Sequence, residues 1–386
     1  MKRVEPLVLA AVFCAALLLG SCASEKSAQT GFSDSSGSVS AGGVLPGSPV
    51  VPILPLDPVQ ALQTSPARNA AFSAVLERYL QRTNYSGSVL VAIGDEIIHS
   101  GGYGVSAYRS TELNRPDSIY LTASITKIFT AVAIMQLRER GLLLLNDSIA
   151  KHLGSAYSNY SITLQQLLSH TSGLLPIEET PVIWMAYALD HRHLEAVHSL
   201  LESGTNLMLR GSPGERFEYN NLNYLILGAV IETVSGLSYE EYLNTHIFDP
   251  AGLKDSGYIV NHAVLENFSW PAGSAVDDNW YHVYQAAAGV HSTVFDLFRF
   301  SRAFQSDILI SRESRAEMLT AWTEAYGLGL VLEERAYGHD GKLPGGYATL
   351  WYVDPYHDIT IILLGNSLRT NPRVVLEVVL SELDRY

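Results

Sequence analysis

The sequence predicts an α+β chain: one sheet built from both chain ends, flanked by helices, with a helical region inserted between its halves. Three observations carry this. The apolar run Gly87–Ile93, the turn Gly94-Asp95 and the run Glu96–His99 read as a strand and its return. Near the other end, Ala348–Val353 and Ile359–Leu364 form a second apolar pair around Asp354-Pro355-Tyr356-His357-Asp358. The section between is mostly helical in pattern, broken at Gly173, Pro176, Gly211-Ser212-Pro213-Gly214 and Pro250-Ala251-Gly252. Strands at both ends with helices between fit a single shared sheet. No internal repeat is visible.

The 386 residues allow one large or two ordinary domains, and a hydrophobic content of 47% is enough for a sizeable core. A net charge of −14 argues against nucleic acid as a partner. Lys2 and Arg3 precede an apolar run from Leu7 to Leu19, too short to span a bilayer and shaped like the core of a signal peptide. Residues 1–21 are therefore expected to be a leader, 22–65 a flexible Ser/Gly/Ala/Pro-rich tether, and 66–386 the folded domain. Cys14 leaves with the leader, so Cys22 stands alone in the mature chain and no intramolecular disulfide forms.

Pro66 opens a helix in which Phe72, Val75, Leu76, Tyr79 and Leu80 recur at helical spacing. Beyond the first strand pair, Leu121–Thr130 carries Ser124 and Lys127 ahead of Ile128, Val132, Ile134, Met135 and Leu137. A Ser and a Lys three apart share a face only on a helix. Ser124 sits at or near the helix N-terminus, where unpaired N–H groups favour developing negative charge, with the Lys127 nitrogen in reach to take or relay its proton. The spacing alone is weak, because Ser148-Ile149-Ala150-Lys151 shares it; there Ser or Asp is expected to cap a short helix. The bland reading of Ser124 is also an ordinary cap. Tyr224–Val234 is a strongly apolar helix ended by Ser235-Gly236. Leu328–Leu332 is a candidate strand, and Asn371-Pro372 opens a last helix with Val375, Val378, Val379 and Leu383 on one side.

Two further constellations accompany Ser124. Tyr219 and Asn221 precede the apolar helix on an expected loop. A Tyr near an ammonium can serve as general base, and an Asn two residues on can bind a substrate carbonyl or hold Lys127. The structural alternative is an aromatic packing residue beside an Asn cap. Tyr337–Tyr347 holds four glycines with His339 and Lys342. It reads either as a glycine-rich bend or as a strand passing close to Ser124, with one N–H offered to an oxyanion and His339 reaching over as a donor.

Taken together, Ser124-Ile125-Thr126-Lys127, Tyr219-Asn220-Asn221 and His339-Asp340-Gly341 resemble, in this order, the S-x-x-K, Y-x-N and H-x-G motifs of the serine β-lactamase and penicillin-binding-protein superfamily. The resemblance is to the class C-related branch with its esterases, D-aminopeptidases and DD-peptidases. Leu168–Leu174, Ala288–Thr293 with Asp296 and Leu297, and Tyr326–Gly329 are similar to secondary segments of that family, and the similarity spans roughly residues 66–386. It implies a mainly antiparallel sheet flanked by helices, a helical subdomain at roughly 128–285, a site between them, and no metal or other cofactor. It implies Ser124 as acylated nucleophile, and Lys127 and Tyr219 sharing the base role. Asn221 and His339 would bind substrate, Gly341 would keep the strand close, and the Lys342 N–H would join that of Ser124 as oxyanion hole. Leu19-Gly20-Ser21-Cys22 resembles the bacterial lipobox, which implies a lipid on Cys22 and a membrane-tethered domain in the cell envelope, facing periplasm or exterior.

His339 stands where β-lactamases have Lys. A His is mostly neutral near pH 7, which favours an esterase or peptidase over an efficient β-lactamase. Ala288-Gly289 replaces a glycine pair, and His170 is assigned to structure. The expected function is a serine hydrolase cleaving an ester, amide or β-lactam in a small-molecule or peptide substrate. The alternative is a non-catalytic or slowly turning over binding lipoprotein. His191, Glu195 and His198, with His193 nearby, would share a helical face at zinc-like spacing, but read as a solvated face. Substrate specificity is expected from the cleft segments Pro176–Leu209 and Val260–Tyr284, and oligomeric state is not encoded legibly.

Overall fold

The computed structural model describes residues 54–58, 60, 62–179, 207–258, 262–273, 284–343, 345–369 and 371–386. The leader, Cys22, most of the expected tether, the His191/His193/Glu195/His198 set and much of both cleft segments lie outside them.

Six strands form one sheet in the order β2 (Glu96–Tyr103), β1 (Gly87–Ile93), β8 (Ile359–Gly365), β7 (Tyr347–Asp354), β6 (Tyr337–Leu343) and β5 (Val331–Leu332). Every neighbouring pair is antiparallel, so early and late strands meet at β1–β8. Tyr120–Leu121 (β3) and His291–Ser292 (β4) pair separately. The central strands β1, β8 and β7 are mostly apolar and buried at every position because both faces are covered. Side chains alternate across the sheet. Leu90, Ala92, Ile362 and Leu364 enter one core, while Val89, Val91, Ile361 and Leu363 enter the other.

The second core is closed by helices from the two ends of the domain. Helix α1 (Pro66–Arg82) is capped by the Ser65 hydroxyl, which accepts from the Arg68 N–H, and buries Phe72, Leu76 and Leu80. The final helix, Pro372–Leu383, is capped by Asn371 and buries Val375, Leu376, Val379 and Leu383. Leu376 takes the place expected for Val378, which is only half-buried. Described residues of 54–65, a stretch assigned to the tether by composition, contact the domain. Leu54 is buried in the first core, Asp57 pairs with Arg312 at 2.6 Å, and the Gln60 N–H donates to the Tyr356 carbonyl at 2.8 Å. Its apolar residues supply the burial that the Ser/Gly-rich part lacks.

On the site face, helix α2 (Thr126–Glu139) is buried on all sides through its first ten residues. That is the pattern of a central helix rather than an amphipathic surface one. It packs against the helices Asn221–Ser235 and Gln285–Ala288. One expectation changes here and one open choice closes. Only Val331 and Leu332 of the candidate strand Leu328–Leu332 pair with the sheet. Gly329, at φ +88°, turns the chain against α2, where a Cβ would lie 2.4 Å from that of Ala131. The glycine-rich stretch is the full strand β6, running from Tyr337 to Leu343. Among the described residues, no single helix is long and apolar enough to cross a membrane.

Candidate active site

Ser124 lies in the short 3₁₀ turn Ala123–Ile125 that leads directly into α2, with Lys127 one turn further on. Ala123 has φ +52°, a left-handed conformation that a non-glycine residue adopts only under the constraint of its surroundings. The Lys127 side chain is fully buried. Its Nζ donates to Ser124 Oγ at 3.2 Å, to Asn221 Oδ1 at 2.8 Å and to the Ala287 carbonyl at 2.9 Å. It also lies over the rings of Tyr219 and Tyr224, 4.8 and 5.4 Å from their centroids. The second S-x-x-K match has no such setting. Lys151 is half-exposed and pairs with Asp147 at 2.7 Å, and Ser148 makes no side-chain capping bond.

Tyr219 lies just before the apolar helix, and its phenol donates to Ser124 Oγ at 2.8 Å. Asn220, not Asn221, is the cap: its Oδ1 accepts from the Leu222 N–H. Asn221, expected on the loop, is the first helical residue, and that turn aims its amide at Lys127. Ser124, Lys127, Tyr219 and Asn221 are thus brought together from segments 95 residues apart.

β6 passes along the other side of Ser124. A Cβ on Gly341 would meet Ala123 Cβ at 2.7 Å and Ser124 N at 2.7 Å, so only glycine permits this approach. Lys342 follows, exposed at the cleft. His339 differs from the donor role expected of it. Its Nδ1 lies 2.6 Å from the Asp340 carbonyl, which can only accept, so the proton sits there. Burial first, then the Lys127 charge, push the imidazole well below its usual pKa, so the ring is neutral. Nε2 is then an acceptor, and it takes the Tyr326 hydroxyl at 3.1 Å. Asp340 is held as a carboxylate by Arg373 at 3.1 Å, and Arg373 also pairs with Glu333. A cleft of about 380 Å³ opens over these groups, with Phe217, Tyr326 and Val331 on its apolar side and Asp340 and Lys342 on its polar side.

Three parts of the site escaped sequence reasoning. The Ala287 carbonyl is a backbone atom and leaves no trace in residue type. It comes from a segment tied to α2 by Thr130 Oγ1, which donates to the Ala286 carbonyl, and by the Val290 N–H, which donates to Thr126 Oγ1. Tyr326 was noted only as part of a secondary segment. The Leu168–Leu174 segment carries the loop that holds Tyr219: the N–H groups of Arg210, Gly214 and Glu218 donate to the carbonyls of Gly173, Thr171 and His170. Thr293 and Asp296 are structural, the first capping the helix Val294–Gln305 by accepting from the Asp296 N–H.

The buried histidines set an acid limit on the fold. Burial lowers His99 to about 4, and His170 and His339 are lowered in the same sense. Unfolded, each titrates near 6.5, so below that pH the unfolded state binds more protons. Stability is expected to be full above pH ~6.5 and to fall as pH drops from there toward the folded values. His99 alone accounts for about 2 kcal/mol at pH 5. Urea midpoints at pH 7.5 and 5 measure this; equal midpoints would contradict neutral burial.

The chain has relatives among known proteins. Residues 72–380 match the β-lactamase family. The chain is 28% identical over 323 residues to penicillin-binding protein 4* of Bacillus subtilis (strain 168), covering 74% of this chain and 69% of that protein. It is 25% identical over 320 residues to a teichoic acid D-alanine hydrolase of Staphylococcus aureus (strain MRSA252), covering 80% and 77%. The octameric penicillin-binding protein homologue from Pyrococcus abyssi superposes with a TM-score of 0.68 at 25% identity, over 81% of this chain and 77% of that one. The chain belongs to the β-lactamase family and is one of its serine hydrolases.

Proposed function

We propose that the chain cleaves an ester or amide through an acyl-enzyme on Ser124. The observation that carries this is the Ser124 Oγ placed 2.8 Å from the Tyr219 hydroxyl and 3.2 Å from the Nζ of a fully buried Lys127. Once the Tyr219–Lys127 pair has given up one of its two protons to solvent, Ser124 Oγ attacks the carbonyl carbon and its own proton passes to the group so vacated. The backbone N–H groups of Ser124 and Lys342 receive the oxyanion. Tyr219 then returns the proton to the leaving group, and water releases the acyl group by the same steps in reverse. Asn221 holds Lys127 and faces the cleft beside it.

An ester or peptide bond is favoured over a β-lactam. His339 is neutral and has both ring nitrogens engaged, so it offers a substrate carboxylate no cation. The relative named as a D-alanine hydrolase points to a D-aminoacyl ester as the first substrate class to try. The hydrolase domain, with its helical part at roughly 128–285, would be held in the cell envelope by the Ser/Gly-rich tether that follows residue 22 and by a lipid on Cys22.

Intact-protein mass spectrometry after brief exposure to a fluorophosphonate, a short-chain nitrophenyl ester and a penicillin tests this, beside Ser124→Ala. An adduct localised to Ser124, transient with the ester, is expected. No adduct with any reagent would move the reading to a binding protein. A persistent penicillin adduct would move it to a penicillin-binding peptidase.

Gly341→Ala is a sharper probe of the oxyanion site. The added methyl must displace the Ser124 backbone or the strand. Acylation is expected to slow about 10²-fold, as for loss of one oxyanion donor. Stopped-flow acylation rates measure it; an unchanged rate would remove β6 from the mechanism.

A further inference from the structure

We propose that His170 is a positioning residue for Tyr219, seating the phenol by gripping the backbone on both sides of it. This rests on the reading of Tyr219 as the group that exchanges a proton with Ser124. Tyr219 is 38% exposed and stands on a loop, outside any helix or strand. Its hold on Ser124 therefore needs an outside anchor. His170 is fully buried beneath it, ring centroids 4.3 Å apart. The His170 carbonyl accepts the Glu218 N–H at 2.8 Å, and its Nδ1 accepts the Asn220 N–H at 3.1 Å. The residues before and after Tyr219 are thus tied to one side chain and its own backbone.

The local chemistry fixes this arrangement. His170 has φ +56°, a turn that brings its carbonyl and its ring nitrogen to the same stretch of chain. A backbone N–H only donates, so Nδ1 carries no proton. Asn223 fits the same tautomer: with its Oδ1 toward the Ser172 hydroxyl at 2.7 Å, its Nδ2 lies 3.2 Å from Nδ1 and donates to it. A protonated Nδ1 would face two donors. Burial and the Lys127 charge hold His170 well below the usual pKa, which keeps Nδ1 an acceptor. The ring also touches Tyr224 and Tyr326, at 5.1 and 5.0 Å between centroids, which carries its placement to the Lys127 and His339 sides of the cleft.

Two substitutions separate acceptor from ring. His170→Asn places Oδ1 where Nδ1 stands and tolerates a positive φ, but loses the ring. His170→Phe keeps a ring and loses the acceptor. Turnover of a nitrophenyl ester by the full chain is measured for both, for Tyr219→Phe, and for His170→Phe combined with Tyr219→Phe. His170→Phe is expected to lower kcat about 10- to 100-fold with KM within about 2-fold, as for a misplaced reacting group. His170→Asn is expected to recover kcat to within about 5-fold of the parent. Added to Tyr219→Phe, His170→Phe is expected to change kcat less than about 2-fold, because it acts through the missing phenol. Should His170→Phe not fold, His170→Asn against His170→Ser, whose hydroxyl is too short to reach the Asn220 N–H, supplies the same contrast. Equal losses with and without the phenol would reduce His170 to a structural role and overturn the proposal, as would an Asn variant no better than Phe or Ser. Full activity in Tyr219→Phe would overturn the reading of Tyr219 and this inference with it; loss there with full activity in His170→Phe would overturn this inference alone.

Discussion

Ser124→Ala is expected to lower kcat by about 10⁴-fold or more while leaving the fold intact, as when the nucleophile of a serine hydrolase is removed. The separation of these two effects follows from the site. Ser124 is half-buried in a 3₁₀ turn that alanine also adopts, so the backbone has no reason to move. The hydroxyl leaves two neighbours short of a partner. Tyr219 is open to the cleft, and water replaces the lost acceptor there. Lys127 keeps Asn221 Oδ1 and the Ala287 carbonyl. The cost in stability is therefore expected to stay within about 1 kcal/mol, that of one partly solvated hydrogen bond. Initial rates on an ester, with the thermal midpoint measured alongside, check both halves. A variant with full hydrolase activity would mean that the acyl-enzyme is formed elsewhere or not at all.

The parts of the chain that announced themselves are those whose physics is local or repetitive. β1 and β8 sit between two cores, so Gly87–Ile93 and Ile359–Gly365 are buried without interruption and apolar but for Ser88 and Thr360. β6 was harder to see, since Gly338, His339, Asp340 and Gly341 form its centre, residues of low strand propensity. Leu328–Leu332 misled for the opposite reason. Leu328 and Leu330 are buried, but Gly329 bends the chain against α2 and spends that burial off the sheet.

The candidate-site residues could be named from type and order, but their state could not. Ser124 and Ser148 have the same spacing to a Lys. What separates them is that the first Lys is surrounded by a core and the second by Asp147. His339 was placed in the site, yet its tautomer depends on the Asp340 carbonyl and the Tyr326 hydroxyl, neither of which a linear reading could set against it. His170 belongs to a segment whose sequence points only to structure. Its two contacts around Tyr219 exist only once residues 50 apart are folded together.

Lys127→Met is the substitution that tells fold from chemistry most cleanly. Methionine matches the length and the apolar stem and removes the charge. Two acceptors, Asn221 Oδ1 and the Ala287 carbonyl, lose their donor, at about 1–3 kcal/mol each. Against this, a cation no longer has to be kept out of water in a fully buried place, a term of similar size and opposite sign. The net change in stability is therefore expected to be small, within about 2 kcal/mol, while kcat falls about 10⁴-fold with the loss of the group that receives or stabilises the Ser124 proton. A second readout is independent of turnover. The Lys127 charge is among the causes that lower both His170 and His339, so both imidazoles are expected to titrate higher in the variant. Histidine proton shifts across pH 3 to 8 would follow this. An upward move, together with lost activity, means that the resting enzyme holds the proton on Lys127 and that Tyr219 is the group that must give one up before it can accept from Ser124. Unmoved histidines with lost activity would mean that Lys127 rests neutral and takes the Ser124 proton itself, with Tyr219 left as the donor to the leaving group.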